Sequence, residues 1–136
     1  MKYINKKLSI ENVKVQNIAK KFGTPAYCYS YNQLKENINN FKRSFKSFSP
    51  LICFAIKSNT NVNLISEIRK LGLGADVVSM GELMKALKAG IKPNKIVFSG
   101  VGKTVEEIKY AINKKILLIN AESKSEIFEI ERIAKK

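Results

Sequence analysis

Lys57 is the residue whose type and position most directly suggest chemistry. It follows an unbroken apolar run at residues 51–56 and precedes a polar segment at residues 58–61. An apolar run without alternation is typical of a strand buried on both faces, and α/β enzymes carry their reactive groups at the carboxyl ends of such strands. An amine that is partly desolvated there can lose its proton and attack a carbonyl carbon. Lys57 is therefore a candidate nucleophile, although a surface lysine that merely caps a strand has the same pattern.

Polar residues also lie at the ends of three later apolar runs. They are Asp76 and Ser79, Ser99 and Gly100, and Asn120 and Glu122. Because the carboxyl ends of parallel strands converge, we expect these residues to surround one site. Asp76 stands out because it interrupts an apolar strand, where its carboxylate could hold the Lys57 amine and tune its charge. A turn residue at a strand end is the alternative for Asp76, and helix capping accounts for Ser79.

A regular alternation of predicted strands and helices positions these candidates. The strands are predicted at residues 51–56, 75–78, 95–98 and 116–119, and apolar stripes with helical spacing lie between them. Capping-box patterns begin four of the helices: Ser30 with Gln33, Ser79 with Glu82, Thr104 with Glu107, and Ser123 with Glu126. The alternation predicts right-handed βαβ units with a parallel sheet, either a small open sheet or half of an eight-stranded barrel.

Residues 1–29 do not follow this alternation. They contain a short amphipathic helix that ends at Gly23 and Pro25, and then an apolar and aromatic segment at residues 26–29 that is a plausible strand. We therefore predict that residues 1–29 belong to a separate module, and that residues 30–136 form the βα units.

Composition excludes several classes of function. The formal net charge is +14, which favours nucleic-acid binding, but the lysines are spread along helix faces and arginine occurs only at Arg43, Arg69 and Arg132. The chain has no histidine, so histidine-based triads and most transition-metal sites are excluded within this stretch. Cys28 and Cys53 suit neither a disulfide framework nor a metal site. We expect no nucleic-acid partner and no metal.

The sequence predicts neither a membrane span nor a secretory signal. No apolar run approaches the ~18–20 residues that a spanning helix needs, and the amino terminus lacks an apolar core and a cleavage site. A cytoplasmic protein is expected.

Residues 99–104, SGVGKT, look like half of a phosphate-binding P-loop. The complete motif needs a glycine five residues before Gly102, where Val97 stands, so nucleotide hydrolysis is not predicted. A single anion bound by the backbone amides of Gly100 or Gly102 at the start of a helix stays open.

Five segments taken together resemble a known family. They are residues 22–30 (FGTPAYCYS), 54–59 (FAIKSN), 74–83 (GADVVSMGEL), 96–104 (IVFSGVGKT) and 119–123 (INAES). In this order and spacing they resemble the diaminopimelate decarboxylases, which are fold-type III pyridoxal-phosphate-dependent decarboxylases. The resemblance covers almost the whole chain. Ser58 stands where that family usually has alanine, and Met80 where glycine is frequent.

The resemblance implies an α/β fold: the N-terminal half of an alanine-racemase-like (β/α)8 (TIM) barrel that binds pyridoxal 5'-phosphate, preceded by a segment of a separate β domain. It implies that Lys57 forms the Schiff base with the cofactor and that Asp76 lies close to that lysine and to the cofactor. The implied reaction is decarboxylation of meso-2,6-diaminopimelate to L-lysine and CO2, in lysine biosynthesis. A homodimer is implied for the complete protein.

At 136 residues the chain is too short for that enzyme, so we expect it to be an N-terminal part that is inactive alone. The ring-stacking histidine, the glycine-rich phosphate loop, the acid facing the pyridine nitrogen and the catalytic cysteine of relatives are expected beyond residue 136. Because substrate-choosing residues are expected there too, a decarboxylase of ornithine, arginine or a polyamine precursor is one alternative. A non-catalytic half-barrel binding module is the other.

Overall fold

The computed structural model describes residues 1–135. It contains two compact units, Met1–Phe48 and a second unit from Ser49 onward. The predicted boundary after residue 29 thus lies inside the first unit, and the assignment of residues 1–29 to a separate β domain stays a prediction.

The first unit begins with a three-stranded antiparallel sheet that was not predicted from the sequence. Its strands are β1 (Lys2–Ile4), β2 (Lys7–Ile10) and β3 (Val13–Lys14), in the order β1-β2-β3. The β1–β2 hairpin turns at Asn5 and Lys6, whose φ angles of 48° and 60° are both positive. Two-residue hairpin loops of the type that matches strand twist require this conformation, and asparagine adopts it readily.

Two helices complete the first unit: α1 (Val15–Phe22) and α2 (Tyr31–Ser44). The helix predicted before Gly23 is confirmed, whereas the strand predicted at residues 26–29 is wrong. These residues form an irregular connection, and Tyr27 is 93% exposed. Aromatic composition favours a strand only where a neighbouring strand and a packed face are available.

The second unit confirms the predicted alternation of strands and helices. Its elements are β4 (Cys53–Ala55), α3 (Val62–Lys70), β5 (Gly74–Val77), α4 (Met80–Lys88), β6 (Ile96–Phe98), α5 (Val105–Asn113), β7 (Leu118–Ile119) and α6 (Lys124–Ala134), with 3-10 turns at Ile56–Ser58 and Pro93–Lys95. The four strands are parallel and lie in the order β4-β5-β6-β7. Strands β4, β6 and β7 are shorter than predicted because the ends of the predicted segments lie in turns and irregular connections, whereas β5 has the predicted length and begins one residue earlier.

The two faces of this parallel sheet differ. On one face, Ala75, Val77, Ile96 and Phe98 are fully buried with apolar residues from the helices. On the other face, Ala55, Asp76, Val97 and Leu118 share one row of the register, and Leu118 is 50% exposed. We call this second side the open face. Parallel sheets normally bury both faces, and in a closed barrel such a face lines the interior.

No helix within residues 1–135 is both long enough and apolar enough to cross a lipid bilayer.

Candidate functional site

Lys57 lies on the 3-10 turn that directly follows β4. The turn is anchored because Ile56 is fully buried and the Ser58 hydroxyl donates to the Ala55 carbonyl at 2.8 Å. Lys57 itself is exposed, and no hydrogen bond or ion pair joins its amine to another group within residues 1–135. The anchored turn therefore places the Lys57 amine, which has no partner among the described residues, at the carboxyl end of β4.

Asp76 lies on the neighbouring strand and on the open face. Its register partner on β4 is Ala55. Lys57 comes two residues after Ala55 in the chain. One carboxylate oxygen of Asp76, Oδ1, is buried and has no hydrogen-bond partner among the described residues. Buried polar oxygens are nearly always paired because leaving one unpaired costs free energy. This oxygen is therefore an acceptor suited to a donor that the described chain does not supply.

Cys53 lies on the open face near Asp76. Burial raises the pKa of the Cys53 thiol, and the negative charge of Asp76 raises it further. A thiol with a raised pKa is a poor nucleophile at neutral pH. Cys53 is a free, half-buried cysteine, which agrees with the expectation that it forms neither a disulfide nor a metal site.

Ser99 and Asn120 continue the sheet by one residue beyond β6 and β7. The Ser99 N–H donates to the Val77 carbonyl at 2.8 Å, and the Asn120 N–H donates to the Phe98 carbonyl at 2.9 Å. Strand alternation places both side chains on the open face, as it does Asp76. The Asn120 side-chain amide donates to the Ser99 hydroxyl at 3.0 Å. The structure thus brings together two of the predicted strand-end residues.

Gly100 allows the segment after β6 to pass very close to the end of β5. A Cβ atom at Gly100 would overlap the carbonyl group of Val78. This close approach holds the two adjoining strand ends together, and it explains why the position requires glycine.

The remaining strand-end residues have structural roles. The Ser79 hydroxyl caps α4 by accepting from the Glu82 N–H at 3.3 Å. Glu122 contributes its backbone N–H to the Glu126 carboxylate at 2.6 Å, and its own side chain is exposed.

The lysine of the SGVGKT segment is not available for a phosphate. The Lys103 ammonium donates to the Asn120 carbonyl at 2.7 Å and to Glu126 Oε1 at 3.0 Å. Its side chain is only 1% exposed. At the start of α5, the Thr104 N–H already donates to Glu107 at 3.0 Å. This role of Lys103 could not be predicted from the sequence, because no local pattern marks a lysine as buried.

A family model described as "pyridoxal-dependent decarboxylase, pyridoxal binding domain" matches residues 31–136. The chain belongs to this family of pyridoxal-dependent decarboxylases. The match confirms both the predicted family and the predicted cofactor, since the matched domain is a pyridoxal-binding one. Within residues 1–135, no group of three or more histidine, cysteine, aspartate or glutamate residues could hold a metal ion.

Curated members of this decarboxylase family are similar over most or all of the chain. Diaminopimelate decarboxylase of Helicobacter pylori strain J99 is 50% identical over 113 residues, which are 83% of this chain and 28% of that protein. Diaminopimelate decarboxylase of Aquifex aeolicus is 43% identical over 136 residues, which are 100% of this chain and 32% of that protein. The chain thus spans about a third of the length of the curated relatives that it matches.

Solved structures of decarboxylases in this family have the same fold. Diaminopimelate decarboxylase of M. jannaschii, in complex with L-lysine, superposes with a TM-score of 0.95 at 36% identity, covering 98% of this chain and 32% of that one. The Helicobacter pylori enzyme with L-lysine gives a TM-score of 0.86 at 44% identity, covering 90% of this chain and 31% of that one. These similarities confirm the predicted α/β fold.

Proposed function

We propose that this chain is the N-terminal part of a pyridoxal-phosphate-dependent carboxy-lyase that converts meso-2,6-diaminopimelate to L-lysine and CO2. The similarity to diaminopimelate decarboxylase over the full length of the chain carries the proposal, at 43% identity. The exposed Lys57 amine, at the carboxyl end of a parallel strand, supplies the chemical group that such an enzyme needs.

The residues at the strand ends fit the cofactor. The Lys57 amine is exposed and uncommitted, so it can bind an aldehyde covalently. The unpaired Oδ1 of Asp76 can accept a hydrogen bond from the lysine or from the cofactor. Pyridoxal phosphate, when bound, supplies an electron sink for the electron pair that is left when CO2 departs.

The chain's own contribution is to position these groups. The Ser58 hydroxyl and the buried Ile56 hold the turn that presents Lys57. Asp76 places a carboxylate on the neighbouring strand, on the register row of Ala55, two residues before Lys57. The register partners of Asp76 on both sides, Ala55 and Val97, are apolar, and the Oδ1 atom of Asp76 is buried.

A decarboxylase of a different amino acid is the second candidate, since related folds act on other substrates. The ornithine decarboxylase of Entamoeba histolytica superposes with a TM-score of 0.61 at 26% identity. The chlorella virus arginine decarboxylase is only 21% identical and therefore supports the fold alone. The higher identity to diaminopimelate decarboxylases favours diaminopimelate as substrate. A cytoplasmic homodimer that binds a small amino acid is part of the same proposal.

The first experiment is borohydride trapping in the full-length protein. The protein is incubated with pyridoxal phosphate, reduced with borohydride and digested, and the modified peptide is identified by mass spectrometry. We expect the label on Lys57 and its loss in Lys57→Ala, while Lys92→Ala, which alters another exposed lysine, keeps it. A label elsewhere would refute the role of Lys57.

Release of CO2 is then compared for diaminopimelate, ornithine and arginine. We expect turnover of diaminopimelate with formation of L-lysine. Preferential turnover of ornithine or arginine would establish the second candidate. Labelling of Lys57 without any turnover would favour a non-catalytic, cofactor-binding module.

A further inference from the structure

We propose that Lys103 is a positioning residue for the cofactor site: its buried ammonium fixes the segments after β6 and β7 and so holds the Ser99–Asn120 pair in place to bind the cofactor. This inference rests on the proposed function. Lys103 is the lysine of the SGVGKT segment, which looks like half of a phosphate-binding P-loop in the sequence.

Lys103 is buried to a degree that is unusual for lysine. Its side chain is 1% exposed, and the side chain of its partner Glu126 is 10% exposed. The other Lys–Glu ion pairs within residues 1–135, Lys70–Glu67 and Lys135–Glu131, join residues three or four apart in sequence and are much more exposed. Burying a lysine costs free energy unless its charge and donors are matched, so this position carries a constraint that the surface pairs lack.

Three contacts hold the Lys103 ammonium. It donates to the Asn120 carbonyl at 2.7 Å and to Glu126 Oε1 at 3.0 Å. It also lies 5.7 Å from the centre of the Phe98 ring. These contacts connect the end of β6, the residue after β7 and the first turn of α6. One ammonium group thereby ties two consecutive βα units together.

The acidic partner is fixed as well. The second carboxylate oxygen of Glu126 accepts the Glu122 N–H at 2.6 Å, and the Glu126 N–H donates to the Ser123 hydroxyl at 3.2 Å. These hydrogen bonds fix the position of the Glu126 carboxylate. We call the Lys103–Glu126 ion pair the anchor, because it holds the Lys103 ammonium in one place.

The anchor affects the side chains on the open face through its hydrogen bond to Asn120. Lys103 binds the main-chain carbonyl of Asn120, and the side-chain amide of the same residue donates to the Ser99 hydroxyl at 3.0 Å. Register and alternation place that hydroxyl and amide on the face that carries Asp76. Lys103 itself is not available to a ligand, because its side chain is only 1% exposed and its ammonium donates two hydrogen bonds inside the protein. Its effect on the site is indirect, through the orientation of Asn120 and Ser99.

The test measures cofactor affinity in the full-length protein, by absorbance titration with pyridoxal phosphate. The variants are Lys103→Met together with Glu126→Gln, which leaves no unpaired charge, and Lys103→Arg, which keeps the charge and its donors. Ser99→Ala is made in the wild type and in the neutral double variant. Lys70→Met, in an exposed ion pair, is the matched control. Thermal unfolding of each apoprotein verifies folding.

We expect the neutral double variant to fold and its Kd for pyridoxal phosphate to rise by about three- to tenfold, as for the loss of one hydrogen bond. Ser99→Ala should raise Kd similarly in the wild type but add little in the double variant, because both changes remove the same contact. Lys103→Arg should stay close to wild type, and Lys70→Met should have no effect.

An unchanged Kd in the folded double variant, or effects of the two changes that multiply, would overturn the proposal. Should the double variant not fold, an unchanged Kd for Ser99→Ala alone would overturn it as well. These measurements need no substrate, so a protein that binds pyridoxal phosphate without decarboxylating diaminopimelate would refute the proposed function only. Failure of the wild type to bind pyridoxal phosphate would refute both.

Discussion

The carboxylate of Glu107 accepts a hydrogen bond at 2.9 Å from the backbone N–H of Met80, the first residue of the preceding helix α4. The other oxygen of Glu107 accepts the Thr104 N–H at 3.0 Å and completes the capping box of its own helix α5. One side chain thus satisfies backbone amides at the starts of two consecutive helices, at the end of the sheet where the strands end and the candidate site lies.

Glu107→Ala should lower the free energy of unfolding by about 1–2 kcal/mol, because amides at the starts of two helices lose their acceptor. Urea unfolding followed by circular dichroism measures the change. Glu106→Ala is the matched control, since Glu106 is exposed on the first turn of the same helix. Its effect should stay within about 0.5 kcal/mol. If Glu107→Ala and Glu106→Ala lowered the free energy of unfolding equally, the contact of Glu107 with Met80 would contribute nothing to stability.

The same carboxylate predicts a loss of stability in acid. Hydrogen bonds from the Thr104 and Met80 backbone amides hold the pKa of Glu107 below its usual value of 4.5. A lowered pKa in the folded state means that the stabilisation is complete above the unfolded pKa and is lost as the pH falls through the folded pKa. We expect the difference in stability between wild type and Glu107→Gln to shrink as the pH is lowered below 4.5, measured by urea unfolding from pH 6 to pH 3. A constant difference would contradict this linkage.

Two glycines in the SGVGKT segment should respond to alanine for different reasons. Gly100→Ala forces a Cβ against the Val78 carbonyl, whereas a Cβ at Gly102 meets nothing within 4 Å but requires a φ of +63°. Gly102→Ala should therefore cost about 1–2 kcal/mol of unfolding free energy from backbone strain alone. Gly100→Ala should cost more, because backbone on both sides of the clash must move. Thermal and urea unfolding of the two variants decide the order, and a milder effect at Gly100 would contradict the close approach.

Asp76→Asn should separate stability from function. The unpaired, buried Oδ1 of Asp76 is a cost to the folded protein without its cofactor. The isosteric neutral side chain should therefore leave the stability of the apoprotein unchanged or raise it by up to about 1 kcal/mol. Binding of pyridoxal phosphate, measured by absorbance titration, should weaken. A strongly destabilised apoprotein with normal cofactor affinity would show that Asp76 serves the fold instead.

Local patterns in the sequence were sufficient for much of the second unit. Apolar runs and helical stripes predicted the four parallel strands and their helices, because the burial pattern of a βα unit repeats over a short stretch of chain. The four capping hydroxyls were also predictable, since a cap joins residues three apart. Only the box of Thr104 and Glu107 is complete. In α2, Gln33 turns to Asn37 instead, and Glu11 supplies an acceptor to Ser30 and Asn32.

The sequence by itself determined the alternating architecture, the family resemblance and the position of Lys57 at a strand end. Only the tertiary structure decided which polar side chains meet. Lys103 and Glu126 are 23 residues apart, and Met80 and Glu107 are 27 residues apart. Whether such groups become partners depends on how neighbouring βα units pack. Lys103 is held in one position because it is buried: a charge removed from water is retained only where specific partners compensate it.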